Sequence, residues 1–170
     1  MERIEINGIS VETVIAGTGP PLLFLHGGDY VAQNRAFLDR LARRFRVVAP
    51  RHPGFGTTPR PAWFRSVNDI AYLYLDLIDR LNLRDATLVG SSFGGWVALE
   101  IAVRSTARIG RLVLWGAQDG IVAPSYGEKL AAALPSARFE SIPGAAHYPQ
   151  IEHPEAVADH IARFVQENRP

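Results

Sequence analysis

The apolar run Ala86-Thr87-Leu88-Val89 leads directly into Gly90-Ser91-Ser92-Phe93-Gly94, and small and apolar residues continue at helical spacing from Gly95 to Val103. A strand, a G-x-S-x-G turn and a helix in immediate succession specify a sharp reversal of the chain. Only glycine lets strand and helix crowd so closely on either side, and the central serine is then held in strained backbone with its hydroxyl exposed. Ser92 is therefore the candidate nucleophile. A serine between glycines is by itself commonly a turn residue, so the weight of the motif depends on what else the chain supplies.

The remaining elements alternate in type. Ile4 to Ile15 reads as two short strands around Asn7-Gly8, a strong hairpin signal. Leu22-Leu23-Phe24-Leu25 is a continuous apolar run that suits a strand buried on both faces, and it ends at His26-Gly27-Gly28. A helix from Asn34 to Arg44 and a strand over Arg46 to Ala49 come next. Ser66-Val67-Asn68-Asp69 resembles a capping box, and Ile70, Leu73, Tyr74, Leu77, Ile78 and Leu81 mark one face of an amphipathic helix. After the elbow, Leu112 to Trp115 is a strand, Ser125 to Leu134 a helix, Arg138 to Ile142 a strand, and Pro154 opens a last helix to about Gln166. This alternation predicts an α/β fold, a mostly parallel sheet with helices on both faces, in one domain over residues 1–170.

A serine hydroxyl needs a base and a group to orient that base. Asp119 lies just past the strand ending at Trp115-Gly116, and His147 just past the strand ending at Ile142. Ser92, Asp119 and His147 thus follow in the order nucleophile, acid, base, each beyond the carboxyl end of a successive strand, where loops of parallel sheets collect functional groups. The 170 residues contain no cysteine, which removes thiolate nucleophiles, thiolate metal sites and disulfides. Net charge is only +1 and the arginines are interleaved with acids, so no nucleic-acid footprint emerges. No apolar run approaches a membrane span, and Met1-Glu2-Arg3-Ile4-Glu5 lacks a signal-peptide layout. A soluble, cytoplasmic chain is expected.

On these motifs the chain resembles the α/β-hydrolase fold family, in its serine-nucleophile branch of small esterases and carbon–carbon bond hydrolases. The motifs that carry the resemblance are His26-Gly27-Gly28, His52-Pro53-Gly54-Phe55-Gly56, the elbow, Trp115-Gly116-x-x-Asp119 and Gly144-x-x-His147. The resemblance implies catalytic Ser92, His147 and Asp119, with an oxyanion hole from the Phe93 and Gly28 amides and Asp29 as the fallback donor. It implies acyl transfer through an acyl-enzyme, with no metal or organic cofactor. Arg51 departs from the family, which usually has an acid before the His-Pro-Gly stretch. Glu152 is an alternative acid near His147, although its place resembles a structural position of the family. His26 is expected to shape the glycine turn, and His52, His153 and His160 to be surface or hydrogen-bonding residues.

A further departure concerns length. The family normally places a helical cap and another strand between the elbow helix and the acid, whereas Asp119 follows Ser92 at close to one βα unit of roughly 30 residues. Ile109-Gly110-Arg111-Leu112 resembles the strand before the cap and Val113-Leu114-Trp115-Gly116 the strand after it, so one strand stands in for two. A capless three-layer sandwich with a seven-stranded sheet of order 1-2-4-3-5-6-7, its first two strands antiparallel, is expected. Loss of the cap would open a substrate pocket around Tyr30, Phe55, Trp63, Phe64 and Tyr148 to water. The expected partners are a small-molecule ester substrate and a second copy of the chain docked through exposed apolar surface, with no nucleic acid and no membrane. Weak, unselective hydrolysis of small carboxylic esters is the expected activity. The alternative is a non-catalytic scaffold, trimmed or engineered, whose triad is not assembled.

Overall fold

The structure is a computed structural model that describes residues 1–104, 112–134 and 137–168. The chain divides into two compact units, Met1–Ile109 and Gly110–Pro170.

The first unit opens with β1 (Glu2–Ile6) and β2 (Ile9–Ala16), an antiparallel hairpin closed by Asn7 and Gly8 at φ 50° and 76°. Both central residues are left-handed, which is the requirement of the primed turn that an Asn-Gly pair favours. β3 (Pro21–Leu25), α1 (Tyr30–Gln33), α2 (Arg35–Leu41), β4 (Arg46–Pro50), α3 (Val67–Arg80), β5 (Thr87–Gly90) and α4 (Phe93–Arg104) follow. The sheet order is β1-β2-β4-β3-β5, with β2 antiparallel to β4 and with β3 parallel to both β4 and β5. This is the order expected for the first five strands.

Alternation within β3 explains why the strand reads as uniformly apolar. Leu23 and Leu25 join Val11, Val48 and the α3 residues Leu73, Tyr74 and Leu77 in one core, together with Val97 and Ile101 of α4. Phe24 meets Phe37 of α2 edge-on at 5.6 Å. Both faces of the strand are therefore covered, as a parallel strand between helix layers requires. At the start of α3, the Ser66 N–H donates to Asp69 Oδ2 at 2.8 Å, the reciprocal half of the box read in the sequence.

Gly94 fixes how closely α4 can lie on β3. A Cβ there would stand 2.0 Å from the Leu25 carbonyl oxygen and 2.5 Å from that of His26, both backbone atoms that cannot swing aside. Gly94→Ala is expected to lower stability by about 3 kcal/mol, the upper range for overpacking a close-packed site, read as a fall in the urea midpoint with an unchanged m-value.

The second unit contains β6 (Leu112–Gly116), α5 (Pro124–Ala133), β7 (Arg138–Ile142), α6 (Pro149–Glu152) and α7 (Pro154–Glu167). β6 and β7 pair in parallel as a two-stranded sheet, from Leu112 with Arg138 to Gly116 with Ile142. Among the described residues, the hydrogen-bonded strands are the five of the first unit and the two of the second, each given for its own unit. The junction falls at Ile109-Gly110-Arg111, which lies outside the described residues. α7 buries Val157, Ala158, Ile161, Ala162 and Phe164 along one stripe. Among the described residues no helix is long and apolar enough to cross a membrane.

Candidate functional site

Ser92 sits between β5 and α4 with φ 49°, in the left-handed region that a serine adopts only when its surroundings enforce it. The enforcement is visible. Ser91 N–H donates to the Leu25 carbonyl at 3.0 Å, and the Gly94 and Gly95 amides donate to the Ser91 and Ser92 carbonyls at 2.8 Å each. Phe93, the residue whose amide is the expected oxyanion donor, is the first residue of α4. The turn after β3 packs directly on the elbow, since a Cβ on Gly27 would come within 2.9 Å of Ser92 Cβ, Ser91 O and Asp29 Oδ1. Gly28 is the next residue along that turn.

That turn has a built interior. Buried Asp29 accepts from the Gly27 amide at 2.7 Å through Oδ1 and from Asn34 Nδ2 at 2.7 Å through Oδ2. The fallback donor residue thus uses its carboxylate to shape the turn. His26 Nδ1 lies 2.6 Å from the Gly27 carbonyl, and His52 N–H donates to His26 Nε2 at 3.1 Å. His52 Nε2 lies 2.7 Å from the His26 carbonyl, and its Nδ1 is 2.6 Å from the Tyr74 hydroxyl. His26, His52 and Tyr74 are all fully buried.

Burial is the largest cause holding the His26 imidazole below its ordinary pKa, with Arg51 adding to it, while the bond to the Gly27 carbonyl and the Asp29 charge push the other way. Burial and the neighbouring His26 depress His52 to about 3, against the bond to the His26 carbonyl. Burial raises the Tyr74 hydroxyl well above its usual value. These groups are neutral at neutral pH. Because the folded pKa of His52 lies below its unfolded value of about 6.5, its contribution to stability is complete above about pH 6.5 and is lost as pH falls toward about 3. His26, shifted the same way, shares the upper part of that window. Stability is expected to fall by up to about 1.4 kcal/mol per pH unit for each titrating ring. Urea midpoints across the window check this, and His52→Gln should flatten the slope.

The aromatic residues expected around the pocket differ in exposure. Phe55 stacks on Phe93 of the elbow at 5.8 Å and meets Tyr30 edge-on at 5.8 Å. Tyr30 is 45% exposed and Trp63 54%. Phe64 is buried in the core of the first unit, edge-on to Trp63 at 4.4 Å. It shares that core with Leu73, Tyr74 and Leu77 of α3. Arg51, the departure from the family pattern, pairs with Glu12 at 2.7 Å and donates to Thr57 Oγ1 at 2.8 Å, holding the loop that carries Phe55.

In the second unit the loops after β6 and β7 are laced together. Ala117 N–H donates to the Ile142 carbonyl at 3.0 Å and Gln118 N–H to that of Ala145 at 2.8 Å. Asp119 Oδ1 accepts from the Ile121 and Val122 amides at 2.8 and 2.9 Å, which leaves Oδ2 directed at His147 Nδ1, 2.9 Å away. The Asp119 side chain is 4% exposed and that of His147 15%. Burial opposes ionisation of Asp119, but the Val122 amide, His147 and the Ile121 amide together outweigh it and hold its pKa below the ordinary value. A carboxylate can only accept, so Nδ1 carries a proton, and of the two neutral tautomers the contact selects the one with its lone pair on Nε2, the form a base requires. Glu152, weighed in the sequence as an alternative acid, instead accepts from the amides on either side of the histidine, Ala146 at 2.7 Å and Tyr148 at 3.1 Å. The Tyr148 ring meets the imidazole at 4.8 Å.

The structure thus brings Asp119, His147 and Tyr148 together in one unit, and Ser92, Phe93, Gly28, Tyr30 and Phe55 in the other. The Tyr74–His52 contact was invisible in the sequence, since 22 positions separate the two residues and the motif that begins at His52 does not name its partner.

The profile of the Alpha/beta hydrolase family matches residues 22–117, and a second profile, of the alpha/beta hydrolase fold, matches residues 108–154. A 2-hydroxymuconate semialdehyde hydrolase of Pseudomonas sp. (strain CF600) is 40% identical over 114 residues, 64% of this chain and 40% of that protein. The chain therefore spans about two-fifths of the length of that relative. Among solved structures, a meta-cleavage product hydrolase from Pseudomonas fluorescens IP01 superposes with TM-score 0.91 at 18% identity, over 99% of this chain and 98% of that one. A thermophilic esterase from Thermogutta terrifontis superposes with TM-score 0.88 at 20% identity, over 98% of this chain and 99% of that one. A strand–elbow–helix unit under a matching profile that covers more than half of the sequence places the relationship beyond fold alone, and the chain belongs to the alpha/beta hydrolase family.

Proposed function

We propose that the chain is a serine hydrolase of small carboxylic esters, with Ser92 as nucleophile, His147 as base and Asp119 as its orienting acid. The observation that supports this best is the Asp119–His147 pair, because a buried carboxylate pinned by two amides and aimed at Nδ1 has the form of an acid–base dyad. Ser92 Oγ attacks the ester carbonyl carbon as its proton passes to His147 Nε2. The Gly28 and Phe93 amides receive the developing oxyanion. Collapse breaks the bond to the alcohol oxygen, which leaves with the proton from Nε2, and Ser92 is left acylated. Water then attacks the acyl carbon, giving its proton to Nε2, and Ser92 departs with that proton as the carboxylic acid is released.

Family membership and the hydrolase names of the relatives support hydrolysis in general. The exposed Tyr30 and Trp63 fit small acyl groups bound with little selection. The test is turnover of p-nitrophenyl acetate by the purified chain together with labelling by a fluorophosphonate. Both are expected. Absence of both overturns the reading and leaves the non-catalytic scaffold.

A further inference from the structure

Every hydrogen of the buried His26–His52–Tyr74 chain is determined by its partners. The His26 carbonyl can only accept, so His52 Nε2 carries a proton and donates to it at 2.7 Å. His52 Nδ1 is then an acceptor, and the Tyr74 hydroxyl donates to it at 2.6 Å. The His52 amide donates to His26 Nε2, so the His26 proton is on Nδ1 and is given to the Gly27 carbonyl at 2.6 Å.

The consequence reaches the proposed oxyanion donor through peptide geometry. In a trans peptide the C=O and the following N–H lie in one plane and point in opposite directions. The Gly27 carbonyl and the Gly28 amide belong to one such plane, so the bond from His26 to Gly27 O also sets where the Gly28 N–H points. The preceding plane is held at both ends, its oxygen by His52 and its Gly27 amide by Asp29 at 2.7 Å. Glycines would otherwise leave both planes free to rotate.

We infer that Tyr74 and His52 are positioning residues that, by fixing the tautomers of two buried imidazoles, aim the Gly28 amide toward the carbonyl oxygen bound over Ser92. Neither touches substrate. Tyr74 acts only through His52, and His52 acts only through the His26–Gly27–Gly28 backbone. The catalytic half of this inference rests on the ester-hydrolase reading, whereas the backbone half does not.

The experiment has an arm for each half. Without substrate, two-bond proton–nitrogen correlations of the imidazoles should show the Nε2–H form of His52 and the Nδ1–H form of His26. Tyr74→Phe, which removes one oxygen and keeps the ring, should shift the Gly28 amide resonance and raise its hydrogen-exchange rate. The opposite tautomer, or an unmoved Gly28 amide, overturns the inference whether or not the chain hydrolyses esters. With p-nitrophenyl acetate, Tyr74→Phe should lower kcat about tenfold and His52→Leu about a hundredfold with KM nearly unchanged, because an oxyanion donor acts in the transition state. His52→Gln, which can still donate to the His26 carbonyl, should recover most of the His52→Leu loss. Adding Tyr74→Phe to His52→Gln should cost no more than twofold, about 0.4 kcal/mol. Unchanged kcat in both Tyr74→Phe and His52→Leu overturns the catalytic half. If the wild-type chain turns over no ester while the Gly28 amide responds as stated, the ester reading falls and the backbone half stands.

Discussion

Ser92→Ala is expected to reduce p-nitrophenyl acetate turnover by about ten-thousandfold or more, down to the uncatalysed rate if the parent activity is weak, and to abolish fluorophosphonate labelling. The size of the effect follows from what the hydroxyl does. In the proposed mechanism Ser92 alone carries the acyl group, so without its hydroxyl His147 and the amide donors would have only water to activate. The substitution is small in structural terms. Ser92 occupies a backbone conformation at φ 49° that strains alanine no less than serine, and the turn is held by backbone bonds from Ser91, Gly94 and Gly95 that do not involve the side chain. Urea midpoints of the variant should therefore stay within about 1 kcal/mol of the parent, so lost turnover with intact folding reads directly on the nucleophile. Turnover retained above about one-tenth of the parent value would remove Ser92 from the mechanism.

The features that were legible in the sequence share one property, which is that their physics is local. Asn7-Gly8 specifies its turn because two consecutive left-handed residues need little else. Ser66 and Asp69 specify the start of α3 because the capping bonds span one turn of helix. The elbow specifies itself because strand, glycines and helix are contiguous. The Asp119–His147 pair was legible at one remove, from the rule that loops after parallel strands collect function, and the parallel pairing of β6 with β7 brings those two loops side by side.

What escaped the sequence depends on contacts between distant segments. His52 and Tyr74 carry no spacing signal, and their roles come from being buried together under the β3 turn. Phe64 reads as a pocket aromatic beside Trp63, yet one of the neighbours is exposed and the other is core, which only packing decides. Glu152 shows the same limit from the other side: its proximity to His147 was readable, but its use as an acceptor for the flanking amides was a matter of loop geometry.

Asp119→Asn is expected to lower kcat by about ten-thousandfold while leaving the fold intact. Asparagine can keep its oxygen on the Ile121 and Val122 amides, where Asp119 Oδ1 now accepts at 2.8 and 2.9 Å, so the loop retains its two bonds. Its amide nitrogen then faces His147 Nδ1 in place of Oδ2. A donor facing Nδ1 requires the imidazole to accept there, which moves the proton to Nε2 and removes the lone pair that would take the Ser92 proton. Asp119→Ala separates this effect from loop structure, since it deletes the amide acceptor as well and should lower the urea midpoint in addition to kcat. The linkage has a definite sign. A carboxyl whose folded pKa is held below its unfolded value adds stability above the unfolded value, and that stability is lost as pH falls through the folded one. Asp119→Asn should therefore remove acid sensitivity at the lower end of the titration while leaving the His52 window in place. A kcat for Asp119→Asn within about tenfold of the parent would reduce Asp119 to a turn-forming residue and require a different orienting group for His147.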